Sequence, residues 1–348
     1  MQYIKLSIFL LLSSCAQHNE VSIASLNTPV AFIVQGDADA NINWWDSFDN
    51  SNLSAVVRQG LNDNHSLQAR DLRLKSTAID ARIAGAALYP DLNLSSSATS
   101  NFDNLGDVSS ASLGISSSWE IDLWGRLDAT VNRSNWSDQE QVSLYRGSAN
   151  LVAGNITNAW LGVISAQEKK LVLAEQNQRT KDALAVIMRR FKMGKNSVTN
   201  IWQQQKLLKS IEVQQSRNQA DLSLYQQTLA LWLSIPTNEL NIKVNQVLPA
   251  LPALPVIGVP AEVLKYRPDI EQAFAKIKAA NENLAIAITN QYPRISLRSN
   301  YSTSKNSVSD LFDDWSGNLI ASLAMPLFDS GERKSVVKQR KLQLEALI

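Results

Sequence analysis

The sequence predicts an α+β membrane protein in which very long coiled-coil helices alternate with short strands suited to a water-filled membrane barrel. Three observations predict it. No proline occurs in the 145 residues between Pro90 and Pro236, and a long helix requires that absence because proline lacks an N–H and clashes with the preceding turn. One apolar register with spacings of three and four runs from Val142 to Phe191, which is helical periodicity. Twice, directly after a Tyr-Pro pair, the period changes to two, the spacing of a strand.

Composition removes several classes of function. The chain has 348 residues, with 33 Lys and Arg against 32 Asp and Glu, a formal net charge of +1. A nucleic-acid binder would carry an excess of basic charge. Hydrophobic residues at 45% separate the chain from disordered tails and from polytopic helical membrane proteins. One cysteine and two histidines, His18 and His65, form no disulfide, zinc or triad pattern. Phosphate-loop, dinucleotide, zinc-protease and nucleophile-elbow motifs are absent from the sequence. The expectation is a protein that is not an enzyme and carries no cofactor or metal.

The N-terminus explains the cysteine. Met1 to Lys5 is short and basic, Leu6 to Leu12 is apolar, and Ser13-Ser14-Cys15 follows. The apolar run is too short to span a bilayer and fits a signal peptide over residues 1–14. Leu12-Ser13-Ser14-Cys15 resembles a bacterial lipobox, which makes Cys15 the expected lipid attachment; an ordinary signal peptide with an incidental cysteine is the other reading. Ala16 after the cysteine fits passage to the outer membrane. Residues 15–43 are polar and irregular, as a tether would be.

Trp44-Trp45-Asp46-Ser47-Phe48 opens the folded part. From Leu53 to Leu88 the spacing is that of one helix, ended by Tyr89-Pro90, since the residue before proline avoids the α region. Strands are expected at 91–102 and 111–123. In the second, Leu113, Ile115, Trp119 and Ile121 share one face while Gly114, Ser116, Ser118, Glu120 and Asp122 share the other. That alternation suits a barrel strand between lipid and water, and equally a half-buried strand of a soluble sandwich. Trp119 and Trp124 fit an interfacial girdle or a core. Glu120 and Asp122, the only paired carboxylates of interest, fall on the solvated register.

A helical hairpin is expected at 127–235, with a turn at Gly194-Lys195-Asn196 and a stop at Pro236. From Leu127 to Phe191 a helix would rise about 97 Å. Polar residues interrupt both apolar seams, at Lys170, Asn177 and Thr180 outbound and at Gln204, Gln215 and Asn218 on the return. Folding about residue 194 would set Lys170 opposite Asn218. Such positions weaken a dry core and set register or face water. A plain two-helix coiled coil and a stave of a hollow helical barrel both fit.

Residues 248–260, Pro-rich and extended, read as a linker. The pattern then restarts: a helix from Ala261 to Asn290, Tyr292-Pro293, strands at 294–304 and 317–327, and Phe328-Asp-Ser-Gly331 in the place of Leu123-Trp-Gly125. Residues 44–247 and 261–348 therefore read as two copies of one repeat. The first hairpin's length predicts about 93 further residues for the second copy, so the chain is expected to stop inside a long helix, truncated.

Trp44-Trp45…Phe48, Tyr89-Pro90, Ser118-Trp-Glu-Ile-Asp-Leu-Trp-Gly-Arg126, Arg267-Pro-Asp-Ile270, Tyr292-Pro-Arg-Ile-Ser-Leu297 and Pro326-Leu-Phe-Asp-Ser-Gly331 together resemble the outer-membrane efflux duct family, in its lipoprotein branch. The resemblance implies a homotrimer, with four strands per protomer in a shared twelve-stranded outer-membrane β-barrel and long helices in a periplasmic α-barrel. It implies passive conduction of drugs or other small molecules across the outer membrane of a Gram-negative bacterium. The implied partners are a periplasmic adaptor (membrane fusion) protein, an inner-membrane RND pump and outer-membrane lipid, with no nucleic acid. Asn200 departs from the acidic residue the family often has after the helical turn.

The adaptor would dock on the hairpin tip, where Arg189, Arg190, Lys192 and Lys195 surround Gly194. Those cations also fit a solvated loop favoured near a helix C-terminus. A lipid-anchored coiled-coil adaptor or scaffold is the alternative to a duct; it calls for β-domains flanking the hairpin, whereas the strands here are duplicated.

Overall fold

The computed structural model describes residues 43–101, 108–240, 247–253, 264, 266–306 and 308–348. The signal peptide, Cys15, the tether up to residue 42 and linker residues 254–260 lie outside the described residues. A 3-10 turn at Trp44–Phe48 leads into α1 (Ser51–Asp63) and α2 (His65–Ala86). β1 (Asp91–Asn101) and β2 (Val108–Ile121) follow, then α3 (Arg126–Lys192) and α4 (Val198–Leu233). After irregular chain come α5 (Pro268–Thr289), β3 (Arg294–Lys305), β4 (Ser316–Ala324) and α6 (Glu332–Glu345). No helix among the described residues is long and apolar enough to cross a membrane. The chain divides into two compact units, changing unit after Leu72, Leu144 and Leu264.

The helical unit is built on the hairpin. The single helix expected from Leu53 to Leu88 is two helices, because Asn64 breaks it. Asn64 takes an extended conformation, its Oδ1 accepts from the Leu67 amide at 3.0 Å, and its Nδ2 donates to the Trp232 carbonyl at 2.9 Å. One side chain thus caps α2 and ties it to α4. α1 starts in the same way, with Asn50 Oδ1 accepting from the amides of Asn52 and Leu53. Leu53 and Val57 of α1, with Trp45, pack against Ile156, Trp160 and Ile164 of α3 and Leu229 of α4. α3 is therefore buried along a second stripe, Ala153, Trp160 and Ile164, beside the expected seam of Val152, Ile156, Ala159 and Val163.

The seam's polar residues bond across the hairpin. Asn218 Nδ2 donates to the Ala166 carbonyl at 2.9 Å, Gln215 Nε2 to the Leu173 carbonyl at 3.2 Å, and Asn177 Nδ2 to Gln215 Oε1 at 3.1 Å. Lys170 does not oppose Asn218. It is exposed, because Asn218 reaches Ala166, one helical turn earlier than a fold about residue 194 would place it.

The second unit holds the sheet, whose order is β1-β2-β3-β4, antiparallel throughout. Observed strand ends differ from the expected ones at the helix junctions. β2 stops at Ile121 and β4 at Ala324, where the chain bends toward Gly125 and Pro326 interrupts backbone donation. The expected helix start at Ala261 lies outside the described residues, as do 262, 263 and 265; Leu264 and Tyr266 are helical, and α5 begins at Pro268, with Arg267 as N-cap and proline in the first turn, where its missing N–H costs nothing. Trp136 of α3 meets Phe274 of α5 edge to face at 6.1 Å, and Thr77 of α2 donates to Asp138 of α3 at 3.1 Å.

Candidate functional site

The register sorts the sheet into two faces. Leu94, Ile115 and Tyr301 form one row of neighbours; Trp119, Leu297 and Ala321 form another; Ile121, Ile295 and Leu323 a third. This apolar face lies open: Leu92 is 75% exposed, Leu94 73%, Leu319 68% and Leu323 70%. Leaving such a patch in water is costly, so its chemistry calls for lipid or a partner. The opposite face is hydroxyl and amide. Ser97 and Ser112 share a hydrogen bond of 2.8 Å between their Oγ atoms, and Asn300 Nδ2 donates to Ser302 Oγ at 3.1 Å. Ile320 is a large apolar exception on it. Parity assigned both faces from sequence, and only pairing aligned them between β2 and β3, whose partners stand 174 or more residues apart.

The strand-to-helix junctions are locked by aromatic and acidic side chains. Trp119 Nε1 donates to the Leu88 carbonyl at 3.0 Å, and Trp124 Nε1 donates to the Pro293 carbonyl at 2.7 Å while its ring stacks on Tyr292. The carboxylates are not the freely solvated pair expected. Glu120 Oε1 accepts from Arg126 Nε at 3.0 Å and Nη2 at 2.8 Å, both side chains being largely buried. Asp122 lies beyond the strand and accepts from the Asp128 amide at 2.8 Å, capping α3. Asp329 does likewise for α6, accepting from the amides of Gly331 and Arg333 and from the Arg333 guanidinium. Gly125 and Gly331 have φ of 74° and 83° with open space where a Cβ would stand, so the dihedral and not crowding demands glycine there.

The hairpin tip gathers the cations named from sequence. Gly194, φ 72°, donates to the Phe191 carbonyl, and the Lys195 amide donates to the Arg190 carbonyl, both at 2.9 Å. This double bond pattern closes a helix with a left-handed residue. Arg189, Arg190, Lys192 and Lys195 are all exposed there, alongside exposed Phe191 and Met193. Among the described residues no His, Cys, Asp or Glu group is placed to hold a metal ion.

Two residues of the polar face escaped the sequence reading. Asp91 and Arg298 fall in one cross-strand row, Asp91–Ser118–Arg298–Ile320. Parity alone would have found Arg298, which shares its face with Arg294 and Ser296.

The model of the outer membrane efflux protein family matches residues 56–234 and 259–348, more than half of the chain. The chain is 27% identical to the pyoverdine export outer membrane protein OpmQ of Pseudomonas aeruginosa, over 97% of this chain and 76% of that protein. It is 26% identical to the probable outer membrane lipoprotein SilC of Salmonella typhimurium, over 86% of this chain, and the match spans 66% of SilC, just under two thirds. The solved outer-membrane channel OprN shares the fold with a TM-score of 0.83 at 20% identity, over 95% of this chain and 78% of OprN.

Proposed function

The chain belongs to the outer membrane efflux protein family, and on that premise we propose that it is the outer-membrane exit duct of a tripartite efflux system, conducting small molecules passively. The two-faced sheet is the observation that supports this most directly. Exposed leucines on one face suit hydrocarbon, and serines on the other suit water.

Edge strands β1 and β4 each pair on one side alone among the described residues, leaving their outer sides without a strand. In lipid their backbone groups would find no water, so a spanning sheet must close. Three copies joined edge to edge supply twelve strands, and α3 and α4 of each become staves of a periplasmic α-barrel. The inner-membrane RND pump supplies the energy. The adaptor docks at the tip, where Arg189, Arg190, Lys192 and Lys195 present charge on the turn made by Gly194. Cys15 carries a lipid anchor. Conduction requires no reacting group: the hydroxyl face exchanges hydrogen bonds with passing water and solute without holding either.

Unheated detergent extracts of outer membranes should contain a trimer that collapses to monomer on boiling, and the purified protein should give ionic conductance in planar bilayers. A monomer released from membranes without detergent would overturn the reading.

A further inference from the structure

Charge on the polar face is confined to one end of the sheet. From the row Asn93–Ser116–Asn300–Asn318 to the pair Thr99–Ser110, every described side chain on this face is Ser, Thr, Asn or absent, as at Gly114. The charged residues follow below. Glu120 is neutralised by Arg126, whereas Arg294 Nη2 donates at 2.7 Å to the neutral amide Oδ1 of Asn290 and keeps its charge.

Asp91 and Arg298 differ from these. Both are exposed, and they occupy one row with Ser118 between them. Two strand spacings set them about 10 Å apart. Asp91 Oδ1 accepts from the Ser118 amide at 2.5 Å, and among the described residues neither side chain has an ion-pair partner. Among the described residues they share with Arg294 the lack of an ion-pair partner on this face, and they are the two such charges that stand in one row, with opposite signs.

We propose that Asp91 and Arg298 form a balanced charge collar that sets the ion selectivity of the duct. The inference rests on the trimeric barrel reading, which repeats the row three times and alternates acid with base around the lumen. Rings of fixed charge in a wet pore raise the concentration of counter-ions and lower that of co-ions. With both signs present in the row, small anions and cations both pass, and solutes bearing either charge, or both, are admitted. Each residue alone would bias the pore, and each is held back by the other.

Planar bilayers of neutral phosphatidylcholine, with the purified protein under a potassium chloride gradient at low salt, test this through the reversal potential. Wild-type protein should pass both potassium and chloride. Asp91→Asn should move the permeability ratio toward chloride and Arg298→Gln toward potassium, each by about fourfold, since one charge about 10 Å away in water changes each ion's level about twofold and acts oppositely on the two. The double variant should return to the wild-type ratio. Single variants that conduct like wild type, yet leave the ratio unchanged or move it the same way, would overturn the collar and leave the duct reading standing. Wild-type protein that gives no conductance would overturn the duct reading and the collar with it.

Discussion

The indole Nε1 of Trp124 donates to the carbonyl of Pro293 at 2.7 Å, joining the end of β2 to the start of β3 across 169 residues of sequence. The Trp124 ring also stacks on Tyr292 with centroids 5.1 Å apart. Trp119 makes the corresponding bond to Leu88, ahead of β1. The two Tyr-Pro pairs therefore do more than end helices: the chain around each is fastened by a tryptophan, Trp119 in β2 or Trp124 just beyond it, which aligns three strands at one level. Trp124→Phe keeps the stacking and removes the donor. It should lower stability by about 0.5–1.5 kcal/mol, the net worth of one hydrogen bond, read as a lower temperature of trimer collapse; Trp124→Ala should cost more.

Faces of the sheet can be tested by one-residue steps. Leu94→Arg places charge on the apolar face, four residues into β1, and should cost about 2–4 kcal/mol if that depth is near the bilayer midplane. Ser95→Arg, on the hydroxyl face, should be tolerated. Leu323, one residue from the end of β4, should cost less, because the penalty falls toward about 0–1 kcal/mol near the interface. Folded protein recovered from outer membranes measures all three, and equal damage at Leu94 and Ser95 would point to a sheet buried on both sides.

Two glycines of the helical unit should respond oppositely to alanine. A Cβ at Gly60 would stand 2.1 Å from Ile156 Cδ1 and 3.2 Å from Leu233 Cδ2, inside a core where Ile156 is 0% exposed. Overpacking there should cost about 1–3 kcal/mol. A Cβ at Gly162 meets the Tyr225 ring at 2.5 Å, with Cγ at 2.7 Å, so Tyr225, 38% exposed, has to change its χ1 rotamer to clear it. Gly162→Ala should then be neutral or gain up to about 1 kcal/mol of helix propensity. Thermal unfolding by circular dichroism distinguishes them.

Acid sensitivity should trace partly to Asp329. Burial pushes its carboxyl up, but the amides of Arg333 and Gly331 and the Arg333 side chain together outweigh burial, so it titrates below the ordinary carboxylate value. A depressed folded value means stability that is fully present above the unfolded value of about 3.9 and lost as pH falls through the lower folded one. Asp329→Asn should flatten that part of the pH profile by lowering the melting temperature in the neutral range toward its acid value, because the stability supplied by the ionised carboxylate is then missing at every pH. An unchanged acid limb would show that the cap is not linked to stability.

The lipid anchor has a direct assay. Cys15→Ser should abolish incorporation of labelled palmitate, and the barrel should still insert because its strands supply a separate membrane attachment. Unchanged labelling would remove Cys15 from the site.

Periodicity is a local property, and what depends on it was legible in the sequence. Helices and strands alternate as their spacings of 3.6 and 2 require, and each strand's apolar and polar residues were separable by parity alone. The left-handed glycines at 125, 194 and 331 were readable as punctuation for the same reason. Partnership is not local. Nothing in the spacing of Asn64 says that it breaks a helix by reaching the Trp232 carbonyl, or that Glu120 closes on Arg126. The place of Asn218 along the hairpin followed from the way side chains interlock between α3 and α4, and a one-turn error in the assumed fold point was enough to mispair Lys170. Asp91 and Arg298 became neighbours in one row only when two antiparallel registers were stacked, since hydrogen-bonded pairing decides which residues of distant strands stand level.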